Sequence, residues 1–211
     1  MIEDIEGLEG ANFLDAHGIS LDGGMGVFAS PSGVWLSMTS LAQFSDLKGK
    51  VDTLKAVDTK NPALLLVLDR GRALDALCAV FRRNSIGHAP PQMRISAGDF
   101  EKQASMAASL IDAGIDAPVL KLKIDGFDTH ENQTWRHHSL LRNLAKGLSG
   151  LRKALMRSGH WEDTLIMTYS EFGRQALENE SGGTDHGTAA LHFVMSGALE
   201  GGLWGLSLIH I

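Results

Sequence analysis

Positions 137, 141, 144, 148, 151 and 155 recur three and four apart, and all but His137 are leucine. Arg142, Lys146, Lys153 and Arg157 fall on the opposite side. That spacing is one face of a helix, so it predicts an amphipathic helix from about Thr134 to a stop at Gly159, with a solvated basic face. The helix is flanked by two apolar runs, Pro118–Ile124 and Asp163–Tyr169, which read as strands. Strand, helix and strand in close succession form a βαβ unit, which pairs its strands in parallel through a right-handed crossover. The predicted fold class is therefore α/β, with a parallel-sheet core and flanking helices.

Upstream the pattern is weaker. Residues 62–83 suit a helix with Pro62 in its first turn, an apolar face through Leu65, Leu68, Ala76 and Val80, and Arg82-Arg83 at its end. Ile86–Ser96, with Pro90-Pro91, reads as a connector, and Asp99–Ala113 as a short helix ended by Gly114. Residues 1–33 are Gly-rich without clear periodicity. Gly24–Ala29 fits G-x-G-x-x-A, but no buried strand precedes it and Pro31-Ser32-Gly33 follows, so it reads as a plain loop.

Length and composition narrow the class. A chain of 211 residues, 44% hydrophobic and 21% charged, suits one globular domain. A net charge of −6 with scattered Lys and Arg argues against a nucleic-acid surface. The lone cysteine, Cys78, sits among Leu77, Ala79 and Val80 and reads as a core residue. The longest apolar run, Ala63–Leu68, is too short to cross a bilayer, so no membrane partner is expected. Ile2-Glu3-Asp4-Ile5-Glu6 is acidic where a signal peptide would be basic, so either the mature protein is not exported or Met1 is not the true start. Leu206–Ile211 reads as a sequencing-adaptor scar, leaving residues 1–205 as a single partial domain, a fragment of a longer protein.

The candidate chemistry sits where strands end. Asp128 and His130 are two apart after the first strand, so extended backbone points both side chains the same way, as one metal ion requires. The plain alternative is a hydrogen-bonded loop pair. Glu171 follows the second strand, where a buried carboxylate must be paired, protonated or metal-bound. Arg174 is its alternative partner in a structural ion pair. Asp185 and His186 lie between Gly183 and Gly187, where the chain can approach closely, and can serve one ion or two neighbouring ions. His137 reads as a core or supporting histidine. In open α/β sheets ligands bind beyond the carboxyl ends of strands, which would bring these motifs to one edge. Divalent ions held there polarise anionic oxygens, which suits hydrolysis of phosphate or sulfate esters. The motifs H-E-x-x-H, G-x-S-x-G and the P-loop are absent.

In order, the chain carries Gly126-Phe127-Asp128-Thr129-His130-Glu131-Asn132-Gln133, then Ser170-Glu171-Phe172-Gly173-Arg174, then Glu178-Asn179, then Gly182-Gly183-Thr184-Asp185-His186-Gly187-Thr188. From about Asp99 to Gly205 this resembles the bacterial domain-of-unknown-function family number 1501, within the alkaline phosphatase and sulfatase superfamily. The resemblance implies an alkaline-phosphatase-like fold and a metal-dependent hydrolase acting on a small anionic ester. It carries metal-ligand candidacy onto Asp128, His130, Glu171, Asp185 and His186, with zinc, manganese or calcium as the ion. It carries no nucleophile, which that superfamily places on N-terminal strands, so the fragment alone is expected to be inactive. The resemblance also implies a periplasmic or exported parent protein. The rival expectation is a binding or scaffold protein that kept the fold without the catalysis.

Overall fold

The computed structural model describes residues 16–24, 26, 35–39, 59–65, 68 and 99–205. Its central strand, β1 (Gly18–Ser20), lies in the segment that shows no periodicity. β1 is flanked on both edges by parallel partners, β2 (Trp35–Ser37) and β3 (Val119–Lys121), in the order β2-β1-β3. Ile19 and Leu21 are fully buried, and a three-residue strand is too short for period-two alternation to show. Gly18 is required here because a Cβ would run into the Trp35 ring.

At the carboxyl end of this sheet a buried ion pair ties β1 to β3. Lys121 Nζ lies 2.6 Å from Asp22 Oδ2, with side chains 9% and 4% exposed. Ser20 Oγ and the Gly24 N–H approach the other carboxylate oxygen at 2.5 and 3.0 Å. Burial pushes the Asp22 carboxyl up, but the hydrogen bonds from Lys121, Ser20 and Gly24 outweigh it and hold the pKa below its ordinary value.

Among the described residues, two long helices cover the sheet. α1 (Phe100–Asp112) starts at Asp99, whose carboxylate accepts from the Lys102 N–H at 3.3 Å, and the chain turns at Gly114 with φ of 67°. α2 (Gln133–Ser158) ends at Gly159, in the left-handed region at φ 81°. The helices meet where Gly147 faces Phe100, with no room for a Cβ. Leu151 and Leu155 of α2 join Ile19, Leu21, Met38 and Leu110 in one core. Here the structure corrects the predicted leucine face: Leu148, Leu151 and Leu155 are buried, Leu144 is half-buried, and Leu141 is 44% exposed. Length explains it. At about 1.5 Å per residue, α1 with 13 residues covers only half of α2 with 26. Among the described residues no helix is long and apolar enough to cross a membrane.

The remaining strands depart from the expected βαβ pairing. β4 (Ile166–Met167) does not join β3 but pairs antiparallel with β7 (Val194–Met195). β5 (Gly173–Arg174) and β6 (His186–Gly187) form a second antiparallel pair. Leu165, Met167 and Tyr169 alternate onto a solvent-exposed face, whereas a strand inside a parallel sheet would be covered on both faces. The chain is thus a mixed helix and strand protein with a small three-stranded parallel sheet. Beyond β3 the chain is held by the buried Gln103 side chain, which donates to the Lys123 carbonyl at 2.9 Å and accepts from its N–H at 2.8 Å. Of the helix predicted over 62–83, residues 62–65 and 68 are helical, and the remainder lies outside the described residues. So do Cys78, most of the Gly24–Ala29 loop and residues 206–211.

Two stability outcomes follow. Leu155→Ala, in the fully buried part of α2, is expected to lower unfolding free energy by about 2–5 kcal/mol, while Leu141→Ala costs less than about 0.5 kcal/mol. Equal losses in urea titrations would show that α2 is buried along its whole length. Asp22→Asn strands the Lys121 ammonium and is expected to cost about 3–5 kcal/mol. Because the Asp22 pKa is depressed, its contribution is full above the ordinary value of 3.8 and is lost as pH falls through the lower folded value. A wild type and Asp22→Asn pair that differ as much at the acid end of that range as at neutral pH would refute this.

Candidate metal centre

The site is assembled by two loops that lock together through the backbone. Thr129, fully buried, accepts from the Thr184 N–H at 3.2 Å. Asn132 and Gln133 donate their N–H groups to the carbonyls of Ser181 and Gly182 at 3.1 and 2.8 Å. Gly183 presses on the His130–Glu131 peptide so closely that any Cβ there would collide with the His130 carbonyl carbon. Asn179 uses its whole amide. Its Nδ2 donates to the His130 carbonyl at 3.0 Å and to Asp185 Oδ1 at 3.1 Å, while its Oδ1 accepts from the N–H groups of Ser181 and Gly183, each at 3.0 Å.

The short ladder β5–β6 supplies the other wall. Arg174 pairs directly with His186, so both side chains stand on one face of the ladder. Both reach Asp128: Arg174 Nη1 donates to Asp128 Oδ1 at 2.9 Å, and His186 Nε2 lies 2.8 Å from the same oxygen. His130 Nε2 approaches that oxygen at 3.0 Å. The other nitrogen of His130, Nδ1, lies 3.1 Å from Asp185 Oδ1. Phe172 stacks on the His186 ring, with centroids 3.9 Å apart and planes 12° from parallel, and the Arg174 guanidinium lies 5.6 Å from the Phe172 centroid. Arg174 is further held by Thr184 Oγ1 at 3.1 Å.

Electrostatics follow the contacts. The hydrogen bond from His186 holds the Asp128 carboxyl below its ordinary value; desolvation opposes it, and the hydrogen bond from Arg174 and the charges of His130 and His186 add to the lowering. Asp185 is lowered likewise, first by His130 and next by Asn179. Asp128, His130 and His186 each offer one ligand atom within 4.8 Å of the others, and all three side chains are about half exposed. One carboxylate oxygen and two imidazole nitrogens around one point is a donor set that can take a divalent ion.

Of the five residues singled out in the sequence, the structure brings Asp128, His130 and His186 into this trio and places Asp185 against the far side of His130. Glu171 is solvent-exposed rather than buried. It precedes Phe172, lies outside the trio, and forms no ion pair among the described residues. Arg174 therefore pairs with Asp128 and not with Glu171. His137 packs edge-on against Phe127, and its Nδ1 accepts from Gln133 Nε2 at 3.1 Å; it lies outside the trio. Asn179, Thr129 and Phe172 stand in the motif strings quoted from the sequence but carry no assigned role there. An Asn four residues before a Gly in a polar, Gly-rich stretch is a turn signal that could have marked Asn179, whereas nothing local marks the other two.

The depressed carboxyls give a direct expectation. In metal-free protein, Asp128 and Asp185 should titrate below the ordinary value of 3.8, so their bonds to His186 and His130 persist above it and are lost as pH falls further. Arg174→Gln should move the Asp128 midpoint upward and leave Asp185 nearly in place, as read by carbon-detected titration of the side-chain carboxyls. An unmoved Asp128 midpoint would mean that Arg174 does not act on it.

Residues 75–205 match the family model described as a protein of unknown function, DUF1501. No curated protein and no solved structure matches the chain. The matched span is more than half of the 211 residues and contains every residue of the trio, and the chain belongs to the DUF1501 family.

Proposed function

We propose that Asp128, His130 and His186 hold a divalent metal ion, and that the protein is a metal-dependent hydrolase of phosphate or sulfate esters with an alkaline-phosphatase-like fold. The observation that carries this is the convergence of one carboxylate and two imidazole Nε2 atoms on a single point from two segments far apart in the chain, the loop 128–130 and β6. Two imidazoles suit zinc better than calcium, which prefers six to eight oxygens. Manganese stands between them.

A bound ion would polarise an anionic ester oxygen and acidify a bound water or hydroxyl. The protein's own groups do the rest. Three side-chain ligands leave part of the coordination shell open to substrate. Arg174, held by Asp128 and Thr184, keeps a permanent positive charge beside the ligands, which favours an anionic substrate. Phe172 fixes the plane of His186 by stacking. The second reading, a binding or scaffold protein, draws support from exposure: the trio sits half open on the surface, while a cavity of about 510 Å³ lies elsewhere, between α1 and α2.

Metal content by elemental analysis and zinc, manganese and calcium titrations of the 211-residue chain test the centre. Hydrolysis of aryl phosphates and sulfates is read on the chain and on any longer natural protein that contains it. Wild type is expected to retain zinc, and Asp128→Asn or His186→Ala to lose it with little loss of helix content. Wild type that binds none of the three ions would overturn the metal centre. Wild type that binds zinc and is inert on every ester would favour the scaffold.

A further inference from the structure

We propose that Asp185 and Asn179 are positioning residues for the metal centre, acting through His130, and that Asp185 is not itself a ligand. This rests on the metal proposal above and takes Asp185 out of the ligand set that the family resemblance implies. The two ring nitrogens of an imidazole point in opposite directions. His130 Nε2 faces Asp128 Oδ1 at 3.0 Å and so faces the point where the trio converges. Nδ1 therefore faces away from that point, and there it meets Asp185 Oδ1 at 3.1 Å. The same Asp185 oxygen accepts from Asn179 Nδ2 at 3.1 Å.

An ion at the trio would take the Nε2 lone pair of His130, and the proton of the neutral ring then sits on Nδ1, where Asp185 Oδ1 accepts it. A carboxylate behind a metal-bound histidine fixes the ring and strengthens it as a ligand. Asn179 makes this arrangement stiff. Its Nδ2 also grips the His130 carbonyl and its Oδ1 grips the N–H groups of Ser181 and Gly183, so the carboxylate and the backbone of the ligand it orients hang from one amide. Asp185 is absent from the group whose ligand atoms lie within 4.8 Å of one another, which follows if it serves His130 from behind.

The test compares zinc affinity by calorimetry in wild type, Asp185→Asn, Asp185→Ala, Asn179→Ala and His130→Ala. The His130 ring nitrogens are read by long-range proton–nitrogen correlation in the metal-free protein and with zinc. Asp185→Asn keeps an oxygen that can accept from Nδ1 and is expected to bind zinc nearly as wild type does. Asp185→Ala and Asn179→Ala should keep the wild-type stoichiometry with a dissociation constant weaker by about 10–100-fold, and His130→Ala should lose the ion. Nδ1 should be protonated in wild type and in Asp185→Asn, and zinc should shift Nε2. Loss of zinc in Asp185→Asn as complete as in His130→Ala would make Asp185 a ligand and overturn the proposal. Unchanged affinity and nitrogen shifts in both alanine variants would overturn it as well. If wild type binds no zinc, the metal centre fails, and the positioning contact is judged by the metal-free spectrum alone: a bare Nδ1 overturns it, and a protonated Nδ1 that changes in Asp185→Ala sustains it.

Discussion

One oxygen atom, Oδ1 of Asp128, is met at 2.8–3.0 Å by nitrogens from three stretches of chain: His130 in its own loop, Arg174 on β5 and His186 on β6. Without that carboxylate a guanidinium and two imidazoles would crowd one point with no anion between them. With it, the segments have a reason to meet although all three ligand side chains remain about half exposed. Charge-assisted hydrogen bonds of this kind are shorter and stronger than neutral ones, which is how an exposed cluster keeps a defined geometry. The same arrangement depresses the pKa of Asp128, keeping it ionised and able to bind a cation.

Steric limits determine how closely the loops can come. Gly183 lies directly on the His130 peptide, and Gly173 and Gly187 face each other across the β5–β6 ladder with no space for side chains. These contacts bring Thr184 to Thr129 and Asp185 to His130. Asn179 then satisfies four polar groups with one side chain, in loops too exposed to be held by apolar burial. A charge hub, a glycine contact and a saturated amide together do what a hydrophobic core does for α1, α2 and the parallel sheet.

Much of this protein is legible in its sequence because it depends on local spacing. The leucine period over 141–155 specifies a helix, and Gly159 its end. Asp99 and Gly114 bracket α1 for the same reason: capping and left-handed turns are properties of a few adjacent residues. The positions of Asp128 and His130 after β3, and of Asp185 and His186 between glycines, are also local and could be singled out from residue type and spacing. What one stretch of chain meets in another is a separate matter. β4 looks like a partner for β3 and pairs with β7, because an apolar run states that a strand will form but not whose hydrogen bonds it completes. The buried strand Gly18–Ser20 has three residues and no room for a period, and its identity comes from Ile19, β2 and β3 closing around it. Only the folded chain decides that Arg174 serves Asp128 rather than Glu171, that Leu141 stays exposed beyond the reach of the shorter α1, and that Asp185 meets His130 from behind. Each of these depends on distances between segments far apart in the chain, and such distances are set by packing and by the balance of charge, not by residue spacing.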